Sequence, residues 1–591
     1  MSVSSLFKAI EIQDLSVHPD GRKAIASVNR GRNWELATID LRAGALAKFL
    51  TSDQSLLSPL YSDDGERIAY NADFEGNEDY DVFIIRSDGS ASPKRLTDGV
   101  ADNSHPTFSP DGALIAFTSN RKRDMENLYV VKTTGGSLKR LTNEELPVRD
   151  FEWSPDGARI AYGTGISDDD YISVVDLASG KSRKVLAKRN VEYGITGDHG
   201  GRALQWSRDG RRLMFTSNEN DSFDIGELDL RSKKSRWLVR SPNDKYAPRW
   251  SPDETMLAYQ EVNDPDVVLK VRGGRRARRV SPEDGVTRIP HWLPDGSGMV
   301  FANSSSMRPE ELFRTTRGSA RKITRFMKEP LPSRAFARPR LVRYRSFDGR
   351  LISAMLFVSR GGPTGRGVVI PHGGPEMQSV NLWDQIVQMF VIKGFSVILP
   401  NYRGSTGYGR EFLHLHDGDL GGGDLKDTLH AGTYLVRSGI TDEDKLGFWG
   451  ASYGGFLCML ALTKAPDMWA AGVSVVGFFD WETEFAHERG FLKAYDLKKM
   501  GDPVKNRDRY RNHSPIHFLE NLRAPLLLTA SSRDVRCPPT ESRALVEKLR
   551  RMGKEHEYHE YTDEGHWPRK RKNLKDLYER SVRFLDRRIP G

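Results

Sequence analysis

One phrase recurs seven times in the first 305 residues, and it constrains the fold of this chain more than any other feature. The copies read LSVHPDGRKAIASVN from 15, LYSDDGERIAYNAD from 60, PTFSPDGALIAFTSN from 106, FEWSPDGARIAYGTG from 151, LQWSRDGRRLMFTSN from 204, PRWSPDETMLAYQEV from 248 and PHWLPDGSGMVFANS from 290. Their shared aspartate stands at Asp20, Asp64, Asp111, Asp156, Asp209, Asp253 and Asp295, so the period runs from 42 to 53 residues. A four-stranded propeller blade of ~40–45 residues has that period. In six of the seven copies an aromatic strand end meets a Ser-Pro-Asp-Gly-like turn, in which Pro, where present, presets φ and Gly supplies a positive φ. An alternating strand follows, then two more, such as DVFIIRSDG and PKRLTDG. One blade cannot bury both of its faces, so seven are expected to stack in a ring; a β-sandwich with chance turn repeats is the competing reading. The first and last copies each contain all their own strands, which predicts closure without a shared sheet. The aspartates read as turn formers and are assigned no chemistry.

From about residue 328 the phrase disappears. The Pro-rich stretch MKEPLPSRAFARP reads as an interdomain linker. Beyond it, apolar strands (GVVIPHGG, FSVILPNYRG, KLGFWGAS, AAGVSVVG, APLLLTASS) alternate with helical patterns (NLWDQIVQMFVIKG, DLKDTLHAGTYLVRSG, FLCMLALTKAP, ESRALVEKLRRMG). That alternation predicts a parallel sheet covered by helices on both faces. The chain is therefore expected to be a multidomain β and α/β protein: a seven-bladed β-propeller over 1–327 and an α/β domain over 328–591, with a short lead, 1–12, packing on the second.

Composition excludes several classes. With 591 residues, 38% apolar and 29% charged, the chain can build large cores. No apolar run approaches the ~18–20 residues that span a bilayer. The opening MSVSSLFKAIEIQDL has no basic region followed by a long apolar stretch, so no secretory signal is expected and a cytoplasmic location is the default. Two cysteines, Cys458 and Cys537, make neither a disulfide framework nor a closed zinc site. The net charge of +9 is mild for this length, and nucleic-acid binding is not expected. The basic cluster VRGGRRARRV at 271–280 lies at an expected hairpin turn, and the one at 568–588 carries Leu574, Leu577, Val582 and Leu585 at helical spacing. Both read as solvated faces.

The chemistry concentrates in the second half. Gly450-Ala451-Ser452-Tyr453-Gly454 is a G-x-S-x-G between an expected strand and an expected helix, the context of the nucleophile elbow in an α/β-hydrolase. Its serine needs a base, and the order Ser, acid, His is expected. Three histidines lie beyond residue 550. His556 and His559 fall inside the alternating strand EHEYHEY, whereas His566 follows in the loop YTDEGHWP, so His566 is the expected base. The expected acid is Asp534, just past APLLLTASS; Asp480, Asp424 and Asp427 are weaker candidates, the last two reading as the cap and first turn of a helix. Two backbone amides should hold the oxyanion: that of Tyr453, next to the nucleophile, and that of Gly374 in Pro371-His372-Gly373-Gly374-Pro375. His372 reads as a loop-shaping residue.

A propeller ahead of a Ser-Asp-His α/β-hydrolase resembles the prolyl oligopeptidase family of serine peptidases over essentially the whole chain. The motifs that carry the resemblance are HGGP at 372–375, NYRGSTGYG at 401–409, GASYGG at 450–455, the pair Asp534 and Arg536, and EGH at 564–566. Within the family the chain looks most like the acylaminoacyl-peptidases. The resemblance implies backbone oxyanion donors at Gly374 and Tyr453, and a substrate-carbonyl contact at Arg536. It also places part of the S1 pocket in the aromatic segment that holds Phe478, Phe485 and Phe491, so an apolar P1 residue is expected, with core packing as the alternative. Glu482, Glu484 and Glu488 in that segment would instead favour a basic one. Dipeptidyl peptidases clamp a free amino terminus with paired propeller glutamates; Glu144-Glu145 and Glu310-Glu311 lack the expected flanking sequence.

The expected function is therefore peptide hydrolysis through an acyl-enzyme on Ser452, releasing N-acylated amino acids from short peptides that the propeller would select. No metal or organic cofactor and no nucleic-acid or membrane partner is expected, and the sequence leaves a homo-oligomer open. Dipeptidyl aminopeptidase and carboxylesterase activity are the alternatives within the enzyme class. A propeller scaffold bearing an inactive hydrolase is the alternative outside it.

Overall fold

The computed structural model describes residues 3–73, 76–193, 202–274, 276–316, 318–327, 331 and 333–591. The chain forms two compact units, one of Ile10–Ser304 with Glu310–Phe326, the other of Met1–Ala9, Ser305–Pro309 and Met327–Gly591. Ser305–Pro309, expected in the first domain, thus belongs with the second. There the Ser306 amide donates to Asn381 Oδ1 (3.0 Å) and its carbonyl accepts from Gln388 Nε2 (2.9 Å). Part of the expected linker, residues 328–330 and 332, lies outside the described residues, as does Arg275 in the basic hairpin at 271–280.

The first unit is a series of antiparallel four-stranded sheets over Glu11–Leu50, Leu56–Arg95, Asn103–Arg140, Val148–Ala187, Gln205–Val239, Lys245–Arg279 and Val286–Lys322. The last two are joined by a single parallel pairing, Val267 with Val286. Each copy of the repeated phrase makes the first hairpin of its sheet, and the aspartate ties the turn. Asp111 Oδ1 accepts from Ser109 Oγ (2.6 Å) and the Ala113 amide (3.0 Å), and Asp156 repeats this with Ser154 and Ala158. Where the sixth copy replaces Gly by Glu254, that residue takes φ 57°. Neighbouring sheets bury their faces against each other. Ile25 packs with Tyr61 and Ile68, Ala69 with Phe108 and Phe117, and so on around the series. Finally Ile12 and Val28 of the first sheet share a core with Val300 and Leu312 of the last. The ring closes by packing, and the first and last sheets each keep their own four strands. A β-sandwich does not form.

The second unit holds one eight-stranded sheet. Its strands are β1 (Arg340–Arg345), β2 (Leu351–Phe357), β3 (Gly365–Val369), β4 (Ser396–Asn401), β5 (Thr441–Ala451), β6 (Ala471–Val475), β7 (Leu526–Ser531) and β8 (His556–Tyr561), in spatial order β1-β2-β4-β3-β5-β6-β7-β8. The helices are α1 (Gln385–Ile392), α2 (Gly409–Leu413), α3 (Gly423–Arg437), α4 (Tyr453–Lys464), α5 (Trp481–His487), α6 (Gly490–Met500), α7 (Arg507–Asn512), α8 (Pro539–Arg551) and α9 (Arg571–Arg588). The sheet is mixed rather than fully parallel, because β2 runs antiparallel to both β1 and β4. From β4 onward all pairings are parallel. Successive residues of a strand feed opposite cores: Val369, Phe448 and Leu528 pack under α3, α4 and α8, while Val368, Trp449 and Leu527 pack under α1 and α9. The order reverses at β3, so the loops after β3 and β5 leave the same edge side by side, where ligands bind in open α/β sheets.

Candidate active site

The loop after β5 makes the sharp strand-to-helix turn expected of a nucleophile elbow. Ser452 sits at φ 57°, ψ −125°, outside the usual wells for a side-chain-bearing residue, and its amide is held by the Val475 carbonyl at 2.9 Å. The glycines around it are steric necessities. A Cβ on Gly450 would lie 2.0 Å from the Gly454 carbonyl oxygen, and one on Gly454 would lie 2.8 Å from that of Pro371. Ser452 immediately precedes α4, so the Tyr453 amide is one of the donors that a helix start leaves without an intrahelical partner. The Tyr453 side chain points the other way, its hydroxyl donating to buried Asp424 of α3 at 2.5 Å.

The sheet brings Ser452, His566 and Asp534 into one hydrogen-bonded line. Ser452 Oγ lies 3.0 Å from His566 Nε2, and His566 Nδ1 lies 2.9 and 2.8 Å from the two Asp534 carboxylate oxygens. Asp534 is buried, and its Oδ1 also accepts from the amides of Arg536 and Cys537, each at 2.9 Å. The loops after β7 and β8 are stitched together by Ser532 N to Tyr561 O (2.9 Å) and Arg533 N to Glu564 O (3.1 Å). Glu564 of the EGH string holds the histidine loop to the start of α9. Its carboxylate accepts from the Arg569 amide (2.9 Å), the Lys570 amide (3.1 Å) and Asn573 Nδ2 (2.6 Å).

The other candidates go elsewhere. His556 and His559 stay on β8, and the His559 ring meets Tyr561 edge-on. Asp480 caps α5 by accepting from the Glu482 amide. Asp427 binds Arg403 in a fork, at 2.9 Å to both Nε and Nη2, and Asp424 takes the Tyr453 hydroxyl.

The loop after β3 passes directly over the elbow. A Cβ on Gly373 would lie 3.3 Å from the Ala451 carbonyl oxygen and 3.5 Å from Ser452 Cβ, and Gly374 adopts φ 115°. The NYRGSTGYG string is its scaffold. Tyr402 stacks on His372 at 4.2 Å and donates its hydroxyl to the His372 carbonyl at 3.0 Å, while His372 Nε2 meets Ser405 Oγ at 2.8 Å. Burial pushes the His372 imidazole down to about 4, so it is neutral at neutral pH and shapes the loop. Glu376, next in the loop, pairs with buried Lys499 of α6 (2.7 Å), which also reaches Asp417 (2.6 Å). Sequence reasoning missed this clamp, because a lysine deep inside an amphipathic helix carries no motif.

A cavity of about 530 Å³ opens onto Ser452 and His566. Phe478 and Arg536 line it; Phe485 and Phe491 do not. Phe485 instead packs against the core and meets Tyr510 edge-on at 6.2 Å, and Phe491 sits half-buried at the start of α6. Tyr495, Glu484, Glu488 and Asp496 line the cavity too, whereas Glu482 is exposed and reaches toward Arg507. Among the described residues no group of three or more His, Cys, Asp or Glu could hold a metal ion, and no helix is long and apolar enough to cross a membrane. Cys458 and Cys537 are buried and unpaired.

Comparison with known proteins gives the same architecture. The prolyl oligopeptidase family profile matches residues 382–590, and the TolB beta propeller domain profile matches 19–196 and 146–341. Dipeptidyl aminopeptidase BIII of Pseudoxanthomonas mexicana is 22% identical, over 99% of this chain and 88% of its own length. The acylamino-acid-releasing enzyme of Sus scrofa is 25% identical over 72% of this chain and 56% of its own length. The solved structure of a Mycobacterium tuberculosis puromycin-hydrolyzing peptidase superposes with a TM-score of 0.87 at 19% identity, covering 100% of this chain and 96% of that one. Residues 382–590 thus form a prolyl oligopeptidase family domain, which follows a propeller in the chain.

Proposed function

We propose that this peptidase cleaves short peptides by acyl transfer to Ser452 and releases N-acylated amino acids. One observation carries the reading: Ser452 Oγ, His566 and Asp534 form a continuous hydrogen-bonded line beside a cavity wide enough for a peptide residue. Ser452 Oγ attacks the scissile carbonyl while His566 Nε2 takes its proton. Asp534 keeps the other ring nitrogen protonated and stabilises the imidazolium that forms. The amides of Gly374 and Tyr453 receive the oxyanion, and losing one such donor costs ~3–4 kcal/mol of barrier. His566 then protonates the leaving amine, and water, deprotonated by the same imidazole, releases the acyl group. Arg536 is assigned to a substrate carbonyl. Its place in the cavity lining supports that role.

The likeness to acylamino-acid-releasing enzymes supports the N-acyl specificity. The likeness to a dipeptidyl aminopeptidase over 99% of the chain favours dipeptide release as the second reading. The deciding experiment compares acetyl-Phe p-nitroanilide, free dipeptide p-nitroanilides and p-nitrophenyl esters on wild type and Ser452→Ala. N-acyl release requires the acetylated anilide to be cleaved best. Preference for the free dipeptides selects the second reading, and cleavage of esters alone makes the protein a carboxylesterase. Unchanged anilide hydrolysis by Ser452→Ala would remove the nucleophile assignment.

A further inference from the structure

The cavity beside Ser452 holds three carboxyl groups that no role above has used. Glu484 on α5, Glu488 just past its end and Asp496 on α6 all line it. They are 2%, 8% and 4% exposed. Glu484 Oε2, Glu488 Oε2 and Asp496 Oδ2 each lack a hydrogen-bond partner among the described residues. A buried carboxylate oxygen without a partner is costly, and like charges add to the cost. After burial itself, the groups that act most strongly on Glu484 are four more carboxyls: Glu541, Glu488, Asp496 and the triad's Asp534. Burial raises Glu488 to about 7, and burial together with the neighbouring Glu488 carboxyl pushes Asp496 well above the usual carboxylate range. Phe478 and Trp481 form an aromatic wall of the same cavity, edge to face at 4.7 Å.

This set of groups is complementary to one kind of ligand. A protonated amine or guanidinium would give the orphaned oxygens charge-assisted hydrogen bonds, and the faces of Phe478 and Trp481 attract cations as well. We infer that Glu484, Glu488 and Asp496 form a cation-binding subsite of the catalytic cavity, which selects substrates bearing an ammonium or guanidinium group close to the scissile bond. The inference rests on Ser452 being the nucleophile. It replaces the apolar P1 expectation with a basic one if the cation is a side chain, and points to a free amino terminus if it is the α-amine.

Three p-nitroanilides separate these cases: acetyl-lysine, with a cationic side chain only; free norleucine, with a cationic α-amine only; and acetyl-norleucine, with neither. Wild type should favour one of the first two over acetyl-norleucine by at least tenfold in kcat/KM, and the favoured substrate identifies the source. In Glu484→Gln, Glu488→Gln and Asp496→Asn that ratio should fall at least threefold in each. A wild-type ratio near one, or a preference that survives all three substitutions, overturns the inference. Cleavage of every substrate that persists in Ser452→Ala overturns the nucleophile assignment instead. Calorimetry on Ser452→Ala reads the subsite without turnover and without a cavity variant. Benzamidine should bind at least tenfold tighter than benzamide, and equal affinity overturns the inference.

Discussion

Asp534→Asn tests the triad at its most specific point, because the structure dictates which way the new amide must face. Asp534 Oδ1 accepts from two backbone amides, Arg536 and Cys537, at 2.9 Å each, while Oδ2 lies 2.8 Å from His566 Nδ1. An asparagine keeps its carbonyl oxygen on the two amides, since the opposite orientation would set NH₂ against two N–H donors. Its NH₂ group then takes the Oδ2 position, the shorter of the two contacts to Nδ1 (2.8 against 2.9 Å), and donates there, so the imidazole proton moves to Nε2. That nitrogen faces Ser452 Oγ at 3.0 Å and can no longer accept its proton. The wrong tautomer lowers kcat by ~10⁴-fold, or about 5.5 kcal/mol of barrier at ~1.36 kcal/mol per tenfold. The fold is hardly touched, because both backbone donors keep their acceptor. The assay is steady-state hydrolysis of the best p-nitroanilide, with thermal unfolding in parallel. A variant that unfolds at the wild-type temperature and keeps kcat within tenfold would refute Asp534 as the triad acid.

Further outcomes follow from the same geometry. Gly450→Ala sets a methyl 2.0 Å from the Gly454 carbonyl oxygen; it should destabilise the protein by more than ~3 kcal/mol in denaturant titration and cut kcat about 100-fold in the folded fraction. Glu564→Ala leaves the Arg569 and Lys570 amides and Asn573 Nδ2 without their acceptor, so kcat should drop about 100-fold as the histidine loop loosens, with Glu564→Gln in between; an unchanged kcat in Glu564→Ala would show that the loop is held by other contacts. Glu541 accepts from the Phe479 amide at 2.8 Å, and burial among Asp480, Glu484 and Glu488 raises it to about 8. A carboxyl raised above its unfolded value takes up a proton on folding, so its stabilising effect is full below about 4.5 and is lost as pH rises through 8. The melting temperature should therefore fall from pH 5 to pH 9, and fall less steeply in Glu541→Gln; parallel slopes in the two proteins would contradict the assignment.

What the sequence disclosed follows the range of the interactions involved. The blade turns were legible because Ser, Asp and Gly satisfy one another within five residues, as Ser109, Asp111 and Gly112 do. The elbow was legible for the same local reason, since the clash at Gly450 lies within its own turn. The β1–β2 hairpin escaped notice because β1, RLVRYR, alternates charges with few buried side chains. Which aromatic residues reach the cavity also escaped, because an aromatic-rich helix does not state its inward face. Trp481, Glu484 and Glu488 share a helical stripe at spacings of three and four, and that stripe turned inward with its acids, while Phe485 turned to the core. Asp496 reaches the cavity, and Lys499 reaches Glu376 at a separation of 123 residues, through tertiary packing alone, which no local pattern records.

The central claim is that Ser452 forms the acyl-enzyme. Peptide mass mapping after reaction with a fluorophosphonate probe tests it most directly, with Ser452→Ala and heat-unfolded protein alongside. The account predicts a single adduct on the peptide that contains Ser452, absent from both controls, with peptidase activity lost in proportion to labelling. An adduct on another residue that accompanies the loss of activity, or full activity in Ser452→Ala, would contradict it.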